Sequence, residues 1–262
     1  MPTSTRPSVA ASAKPLVDGS RYQVSTPELI VWLKDKREPL VTMDEAHLGM
    51  LTYHPRTAFI KTVPRDGVCF DVGAGTGSME GLRRWLGYLR PDLAFVGAAL
   101  EDPSPEARYD EFWVGNFDSD FPEFERRPNA AILVHVIEHL ENPTDVLSKV
   151  AGCLAPDSRI YIEWPSFHSA ELPRLRDIVA AGFHPQTINF FDDSTHITPI
   201  SHEQVVEMVH GAGLAVEGMG FVDMPFIADA LRDLADSDDA YILTMAVWLR
   251  TGFSSWVTAV KA

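Results

Sequence analysis

Cysteine is scarce in this sequence: Cys69 and Cys153 are the two cysteines among 262 residues. Two cysteines are too few for a disulfide framework or for a zinc site built on thiolates. Cys69 lies in an apolar run and Cys153 on the apolar side of a predicted helix, so we expect both to be small buried hydrophobic residues. The low cysteine content therefore excludes the small disulfide-rich scaffolds.

Long apolar runs are also missing. No apolar stretch approaches the length of a membrane span, and the N-terminal residues carry no apolar core of the kind found in secretory signal peptides. We therefore expect a soluble, cytoplasmic protein without a membrane partner.

Basic residues are outnumbered, because 22 Lys and Arg stand against 37 Asp and Glu and give a formal net charge of −15. A field of this sign repels phosphate backbones and anionic lipid headgroups. The Arg-Arg pairs at 83–84 and 126–127 are each flanked by acidic or apolar residues, so neither predicts a basic patch. The charge argues against a nucleic-acid partner and is typical of a soluble protein.

What the sequence does contain is an alternation of strand and helix patterns. Residues 1–20 are rich in Ser, Pro, Thr and Ala, which predicts a mobile tail, and residues 21–65 predict an N-terminal helical cap. Residues 66–262 hold seven candidate strands, at 67–72, 93–100, 112–114, 130–136, 159–164, 214–222 and 255–260. Strands that alternate with helices predict an α/β fold with a doubly wound, mostly parallel, seven-stranded sheet.

Residues 165–200 interrupt this alternation. They are rich in histidine and proline and carry little regular patterning. Long irregular segments inside a compact domain are often lids or binding loops. We therefore expect this segment to be a lid.

A glycine-rich loop, Asp71-Val72-Gly73-Ala74-Gly75-Thr76-Gly77, follows the first candidate strand and precedes a helix predicted over 78–89. Glycines at such a junction let the chain turn sharply and let a ligand approach the main chain. The dinucleotide pattern G-x-G-x-x-G needs its third glycine one position later, where this chain has serine. A P-loop is excluded because no Gly-Lys-Ser/Thr follows.

The Asp-x-Gly-x-Gly-x-Gly spacing of this loop resembles motif I of the class I S-adenosylmethionine-dependent methyltransferases. The stretches 135–143 and 147–165 extend the resemblance, which covers residues 66–165 well. It implies a Rossmann-like methyltransferase fold, with S-adenosylmethionine as cofactor and S-adenosylhomocysteine as product. The loop residues that it implies at the cofactor are Asp71, Gly73, Ala74, Gly75 and Gly77. For Asp71 two roles stay open, bracing the loop or meeting the amino-acid end of the cofactor.

The resemblance also implies where the nucleoside binds. Family members usually end the second strand with an acid that binds both ribose hydroxyls, but here that strand ends in two alanines and the first acid is Glu101. We expect Glu101 to take this role, the alternative being an exposed acid in a turn. Phe117 and Asp118 are the candidates for the adenine, and His135 is expected to line the cofactor pocket.

The run His135-Val-Ile-Glu138-His139 has the spacing of the inverted zinc-peptidase motif. That chemistry needs both histidines one turn apart on a helix, with a further ligand downstream. His135 ends a predicted buried strand, and the next helix is predicted to begin only near Pro143. We therefore expect structural hydrogen bonds from Glu138 and His139, and we assign no metal to the site.

The stretch Asp193-Ser-Thr-His196-Ile-Thr-Pro resembles the Asp-x-Thr-His-x-x-Pro element of a subset of these methyltransferases, several of which act on sugars, glycans or hydroxylated natural products. Methyl transfer to a neutral hydroxyl requires removal of its proton, a task suited to histidine near neutral pH, and His196 is the first candidate for this general base. The alternative is a histidine that orders the loop through the backbone. Asp192 and Asp193 are candidates for orienting His196, binding acceptor hydroxyls or together holding a divalent ion.

We therefore expect methyl transfer to oxygen on a small hydroxylated acceptor, such as a sugar or a natural product. Transfer to nitrogen or carbon is an alternative that shares the cofactor loop. A zinc-dependent hydrolase that uses His135, Glu138 and His139 is the alternative from another class. The sequence leaves open whether the chain forms a homodimer.

Overall fold

The computed structural model describes residue 19 and residues 22–75, 77–82 and 90–261. The predicted tail therefore lies outside the described residues apart from Gly19. Thr76 of the glycine loop and residues 83–89 of the predicted helix lie outside them as well. Every strand of the predicted sheet falls within the described ranges.

Seven strands form one sheet in the described chain. They are β1 (Val68–Val72), β2 (Ala94–Ala99), β3 (Glu111–Val114), β4 (Ala130–Val134), β5 (Arg159–Pro165), β6 (Leu214–Phe221) and β7 (Ser254–Lys261). Their order is β3-β2-β1-β4-β5-β7-β6. The first five run parallel, whereas β7 runs antiparallel to both β5 and β6. The doubly wound, mostly parallel, seven-stranded sheet is confirmed.

The described helices are α1 (Thr26–Lys34), α2 (Met43–Tyr53), α3 (Pro55–Thr62), α4 (Ser78–Gly81), α5 (Pro143–Cys153), α6 (Leu175–Ala180), α7 (His202–Gly211), α8 (Pro225–Leu234) and α9 (Ala240–Thr251). Asn142 caps α5, and Ser201 with Gln204 forms a capping box at the start of α7. None of these described helices is both long enough and apolar enough to cross a membrane.

The central strands β1 and β4 are almost fully buried because helices cover both faces of the sheet. Successive side chains of β1 point to opposite faces, so Phe70 packs with the apolar residues of α5 and α7 while Cys69 packs with those of α3. Cys69 is therefore buried as expected. Cys153, at the end of α5, is only half-buried, and the expectation of full burial was wrong there.

A separate hydrophobic cluster joins the N-terminal helices to α8 and α9, which connect β6 to β7. Leu29 of α1 packs there with Leu231 and Val247. The segment predicted as a lid contributes Ile178 and Ile188, both fully buried. Part of that segment is therefore anchored by apolar side chains rather than lying free over the sheet.

The parallel strands bring their carboxyl ends to one edge of the sheet. The glycine loop follows β1 there, residues 100–102 follow β2, and His135 follows β4. Doubly wound sheets bind ligands at this edge, where the strand order reverses. The fold therefore gathers residues from three separate parts of the chain at one ligand-binding edge.

Candidate functional site

The glycine loop has the left-handed backbone that its composition predicts. Gly73, Gly75 and Gly77 have φ values of 73°, 49° and 88°, a region that side-chain-bearing residues rarely adopt. The amides of Gly73 and Ala74 both donate to the carbonyl oxygen of Ala98, at 2.8 and 2.9 Å. These bonds fix the loop to the end of β2.

Close packing is a second reason for glycine in this loop. A Cβ atom on Gly73 would lie 2.4 Å from Cγ2 of Val136, and one on Gly77 would lie 2.6 Å from Cβ of Ala107. Gly75 differs, because a Cβ atom there would lie 3.8 Å from its nearest neighbour, and the residue is exposed. The main chain at Gly75 is therefore open to a ligand.

Asp71, at the end of β1, is buried beneath this loop. The Tyr109 hydroxyl donates to its Oδ2 atom at 2.6 Å. Burial raises the pKa of the Asp71 carboxyl to about 7, although the hydrogen bond from Tyr109 lowers it. These contacts support the bracing role for Asp71, because they tie β1 to the segment before β3.

A cleft of about 820 Å³ opens at the carboxyl edge of the sheet. It is lined by Gly73, Gly75, Ala99, Leu100, Glu101, Asp102, Ser104, Asn116, Phe117, Asp118, His135, Val136, His139, Leu140, Glu141, Thr195 and Ile197. Six of the residues expected at the cofactor are among them: Gly73, Gly75, Glu101, Phe117, Asp118 and His135. The other three, Asp71, Ala74 and Gly77, do not line the cleft.

The residues that line the cleft after β2 and after β3 differ in chemistry. Glu101 and Asp102 are exposed acids just beyond the end of β2. Phe117 is buried against Trp113, with ring centroids 5.6 Å apart. Asp118 is exposed, and its amide donates to the side chain of Asn116 at 2.9 Å. The lining thus offers carboxylates after β2, and an apolar ring beside a carboxylate after β3.

His135 has an unusual backbone for a non-glycine residue, with φ of 54°. Its Nδ1 atom lies 3.1 Å from Oε1 of Glu138, and its Nε2 atom lies 3.1 Å from the Ser254 hydroxyl. Burial lowers the pKa of the imidazole, but hydrogen bonds to Glu138 and Glu163 outweigh burial and raise it to about 9. His135 is therefore a cation at neutral pH, with both nitrogens engaged.

A buried ion pair links this edge to the N-terminal helices. Arg56 of α3 donates from Nε to Oε2 of Glu163 at 3.2 Å, and the Tyr161 hydroxyl donates to the same oxygen at 2.7 Å. Burial raises the pKa of the Glu163 carboxyl, but Arg56 and neighbouring histidines hold it well below its usual range. Oε1 of Glu163 lies 3.7 Å from Nε2 of His135, so the carboxylate contacts two cations, Arg56 and His135.

Glu138, His139 and His196 form a second group beside the cleft, which we call the histidine–glutamate cluster. The Nε2 atoms of His139 and His196 each lie 4.0 Å from Oε1 of Glu138, and the two rings are 4.7 Å apart between centroids. His139 lines the cleft. The His196 side chain is only 6% exposed and does not line the cleft, whereas its neighbours Thr195 and Ile197 do.

The two aspartates expected beside His196 have different surroundings. Asp192 accepts backbone hydrogen bonds from Leu175, Ile188 and Asn189, at 3.2, 3.1 and 2.8 Å. Both of its oxygens therefore organise the local chain. Asp193 accepts through Oδ1 from the amide and hydroxyl of Thr195, and its Oδ2 lies 3.9 Å from Nε2 of His196. Of the two, Asp193 is the one beside His196.

The geometry required for zinc-peptidase chemistry is not formed by His135 and His139. His135 precedes the 3₁₀ turn Ile137–His139 and has a left-handed backbone, so the two histidines do not lie one turn apart on a helix. Both ring nitrogens of His135 also have partners already.

Three polar residues near the cleft were missed by the sequence reasoning: Arg56, Glu163 and Ser254. Glu163 could have been noticed, because an acid near the end of the apolar run Ile160–Ile162 is buried when the strand is central and then needs a cation. Nothing local identifies Arg56 as that cation, since 107 positions separate the two residues. Ser254 lies in β7 and meets His135 only through the antiparallel pairing of β7 with β5.

Comparison with known proteins identifies the family of this chain. Residues 50–218, more than half of the chain, match the family model described as a methyltransferase domain. A search of curated proteins finds no match.

Solved structures similar to this chain share its fold at low sequence identity. An S-adenosylmethionine-dependent methyltransferase from Mesorhizobium loti has a TM-score of 0.54 and 14% identity, covering 79% of this chain and 96% of its own. Coclaurine N-methyltransferase bound to N-methylheliamine and S-adenosylhomocysteine has a TM-score of 0.53 and 13% identity, covering 86% of this chain and 75% of its own. The [4+2]-cyclase SpnF has a TM-score of 0.52 and 14% identity, covering 93% of this chain and 94% of its own.

These identities show the fold alone, and a cyclase among the similar structures illustrates that the fold does not set the reaction. The family match is a stronger finding, because it spans the glycine loop, the cleft and the histidine–glutamate cluster. The chain belongs to this methyltransferase domain family, and S-adenosylmethionine is its methyl donor.

Proposed function

We propose that this methyltransferase acts on an oxygen of a small hydroxylated acceptor, such as a sugar or a natural product. The observation that carries the proposal is the histidine–glutamate cluster, where two imidazole nitrogens and a buried carboxylate oxygen converge beside the cleft. A neutral hydroxyl must lose its proton as it is methylated, and imidazole is a proton acceptor near neutral pH.

The cleft fits S-adenosylmethionine in size and chemistry. Its volume lies within the range of about 300–1,000 Å³ that is common for sites of small organic ligands. Glu101 and Asp102 supply carboxylates that accept hydrogen bonds from ribose hydroxyls. Phe117 supplies an apolar surface for the adenine, and Asp118 an acceptor for its amino group. The open main chain at Gly75 provides the close approach that the nucleoside and methionine parts need.

The acceptor belongs at the end of the cleft where His139 lies. Bound S-adenosylmethionine supplies an electrophilic methyl group on a sulfonium sulfur. The chain aligns the acceptor oxygen and removes its proton. His139, Thr195 and Ile197 line the cleft, whereas His196 lies behind them. We therefore assign proton removal to the cluster as a unit, in place of His196 acting alone.

The positions of the aspartates suggest how the cluster is supported. Asp193 holds Thr195, and the Thr195 hydroxyl lies 2.9 Å from Nδ1 of His139. Asp192 fixes the start of the same segment through its backbone contacts. We propose that Asp193 orients the cluster, and that Asp192 supports the segment without touching the acceptor.

The test combines cofactor binding with turnover. S-adenosylhomocysteine should raise the melting temperature and NAD should not. With S-adenosylmethionine and a panel of small alcohols, phenols and amines, mass spectrometry should find new methyl groups on oxygen. His139→Gln and His196→Ala should abolish turnover and leave the affinity for S-adenosylhomocysteine nearly intact. The exposed His184, placed 3.7 Å from Asp238, provides the control variant His184→Gln.

Two results would count against the proposal. If the amines alone were methylated, oxygen transfer would be wrong although the cofactor class stood. If both cluster variants kept full turnover, the cluster would have no part in proton removal.

A further inference from the structure

The histidine–glutamate cluster contains two imidazoles whose protonation is set by their neighbours. The Thr195 hydroxyl donates its single hydrogen to Oδ1 of Asp193 at 2.6 Å. Its oxygen must therefore accept from Nδ1 of His139, which lies 2.9 Å away. In the neutral imidazole, the hydrogen is thus on Nδ1 and the lone pair on Nε2.

His196 has the same arrangement through a different neighbour. Its Nδ1 atom lies 2.6 Å from the carbonyl oxygen of Phe190, which can only accept. In the neutral imidazole the hydrogen is again on Nδ1, and Nε2 carries the lone pair. That atom faces Oε1 of Glu138 at 4.0 Å and Oδ2 of Asp193 at 3.9 Å, both of which are acceptors.

The lone pairs of two neutral imidazoles therefore face Oε1 of Glu138, an oxygen that also accepts from Nδ1 of His135 at 3.1 Å. One possible ligand atom from each of the three residues lies within 4.8 Å of the other two. Glu138 is 1% exposed, and its Oε2 atom is buried with no hydrogen-bond partner among the described residues. Acceptors that face one another repel unless a proton donor or a cation lies between them.

Two imidazoles and one carboxylate form a ligand set that suits divalent transition metals such as zinc, cobalt, manganese and iron. Tetrahedral ligands about 2.1 Å from one ion lie about 3.4 Å apart. The 4.0 Å separations from Oε1 of Glu138 therefore need only a small inward shift to hold an ion. In metal-bound histidines the N–H of the other ring nitrogen usually donates a hydrogen bond to a carbonyl or a similar acceptor, as in His139 and His196 here.

We propose that Glu138, His139 and His196 bind one divalent transition metal ion, with the Phe190 carbonyl and Thr195 fixing the two imidazoles. This ligand set differs from the zinc-peptidase pattern in the sequence, because His196 takes part in it and His135 does not. His135 instead contacts the Glu138 carboxylate, with Nδ1 3.1 Å from Oε1.

The ion would take over the promotion of proton loss in the proposed methyl transfer, because imidazole nitrogens that bind metal no longer accept a proton. Three protein ligands leave coordination positions free, and His139 with Thr195 borders the cleft. An acceptor hydroxyl that binds there becomes more acidic. The hydroxyl oxygen then forms the new bond to carbon, the sulfur keeps the electron pair of the broken S–C bond, and the hydroxyl proton passes to water. This role rests on the proposed function, whereas metal binding by the three residues does not.

Metal binding can be measured without the cofactor. Tag-free protein is treated with a chelator, dialysed against cobalt or zinc, and analysed for bound metal. We expect one ion per chain, and for cobalt the visible absorption of an ion held by nitrogen and oxygen. His139→Gln, His196→Gln and Glu138→Gln should each lose the bound ion. Thr195→Val should weaken binding by about 10- to 100-fold, as is usual when a supporting hydrogen bond to a ligand is removed.

The variant His184→Gln is the matched control and should bind metal like the unaltered chain. Absence of stoichiometric uptake by the unaltered chain would overturn the proposal, whether or not the Glu138 variant folds. Uptake that persists in both histidine variants would overturn it as well. S-adenosylhomocysteine binding, measured on the same metal-free protein, separates the two ideas. A chain that binds the nucleoside but no metal would refute this inference alone, and one that binds metal but no nucleoside would refute the proposed function alone.

Discussion

Asp71 gives a quantitative test of how the glycine loop is supported. Its carboxyl is 2% exposed, and burial raises its pKa from 3.8 to about 7. In the unfolded chain the same group is exposed and ionises near pH 4. Between these two values the folded state holds one proton more than the unfolded state. The free energy of unfolding therefore falls as the pH rises through this interval.

The size of the effect follows from the two pKa values. Each unit of difference corresponds to about 1.4 kcal/mol, so a shift of about three units corresponds to about 4 kcal/mol. This stabilisation is fully present below about pH 4 and is lost by about pH 7. Asp71→Asn keeps an acceptor for the Tyr109 hydroxyl but cannot ionise. The variant should therefore gain stability relative to the unaltered chain as the pH rises.

Urea unfolding of both chains over about pH 4 to pH 8 measures this difference. The difference in free energy of unfolding between the two chains should grow by about 4 kcal/mol from about pH 4 to about pH 7 and then stay constant. Tyr109→Phe is the companion variant, because it removes a hydrogen bond that lowers the pKa of Asp71 and should extend the loss of stability to higher pH. If the difference in free energy of unfolding between the two chains did not change with pH, the idea of a neutral buried carboxyl would be refuted.

The same variant separates the two roles of Asp71. A carboxylate that bound the cofactor's amino group would contribute a charge-assisted hydrogen bond of about 1.5–3 kcal/mol, so its loss would lower affinity roughly 10- to 150-fold. A bracing residue beneath the loop should leave the affinity for S-adenosylhomocysteine within about threefold, since a threefold change corresponds to less than 1 kcal/mol. Calorimetric titration of Asp71→Asn distinguishes these outcomes.

Three further changes have expected outcomes. Gly75→Ala should weaken S-adenosylhomocysteine binding in a calorimetric titration, because φ is 49° there and the new Cβ borders the cleft; Gly152→Ala in α5 should leave it unchanged. Arg56→Met should lower the free energy of unfolding by about 3 kcal/mol in urea, because it removes the nearer of the two cations that contact the buried Glu163 carboxylate. The exposed Arg37→Met should change it by less than about 1 kcal/mol. Glu101→Gln should reduce the same nucleoside affinity about tenfold or more through a lost charge-assisted hydrogen bond, and an unchanged affinity would leave the ribose role without support.

The parts of the fold that the sequence predicted are those set by local rules. Strand boundaries agree to within one or two residues because buried parallel strands are short apolar runs bounded by turns. The caps at Asn142 and Ser201 were found because a side chain there bonds an amide only a few residues away. The fourth strand was predicted too long, since His135 adopts a left-handed backbone and ends it at Val134.

The site was predicted less completely, because its contacts join distant parts of the chain. The segment 192–196 was singled out from the sequence, but a sequence pattern does not show which way each carboxylate points. Asp192 is turned toward the backbone of its own segment, whereas Asp193 is turned toward Thr195 and His196. Side-chain direction of this kind is decided by tertiary packing rather than by spacing.

The buried charges explain how a residue of the N-terminal helices affects the site. Arg56 and His135 are cations, and each contacts the carboxylate of Glu163. His135 also contacts Glu138, the carboxylate of the histidine–glutamate cluster. Glu163 and Glu138 are both buried, and an unpaired buried charge costs several kcal/mol. Loss of Arg56 would therefore draw His135 more strongly toward Glu163 and weaken its hold on Glu138. A residue of α3 thus acts on the cluster through two shared partners, without contacting it.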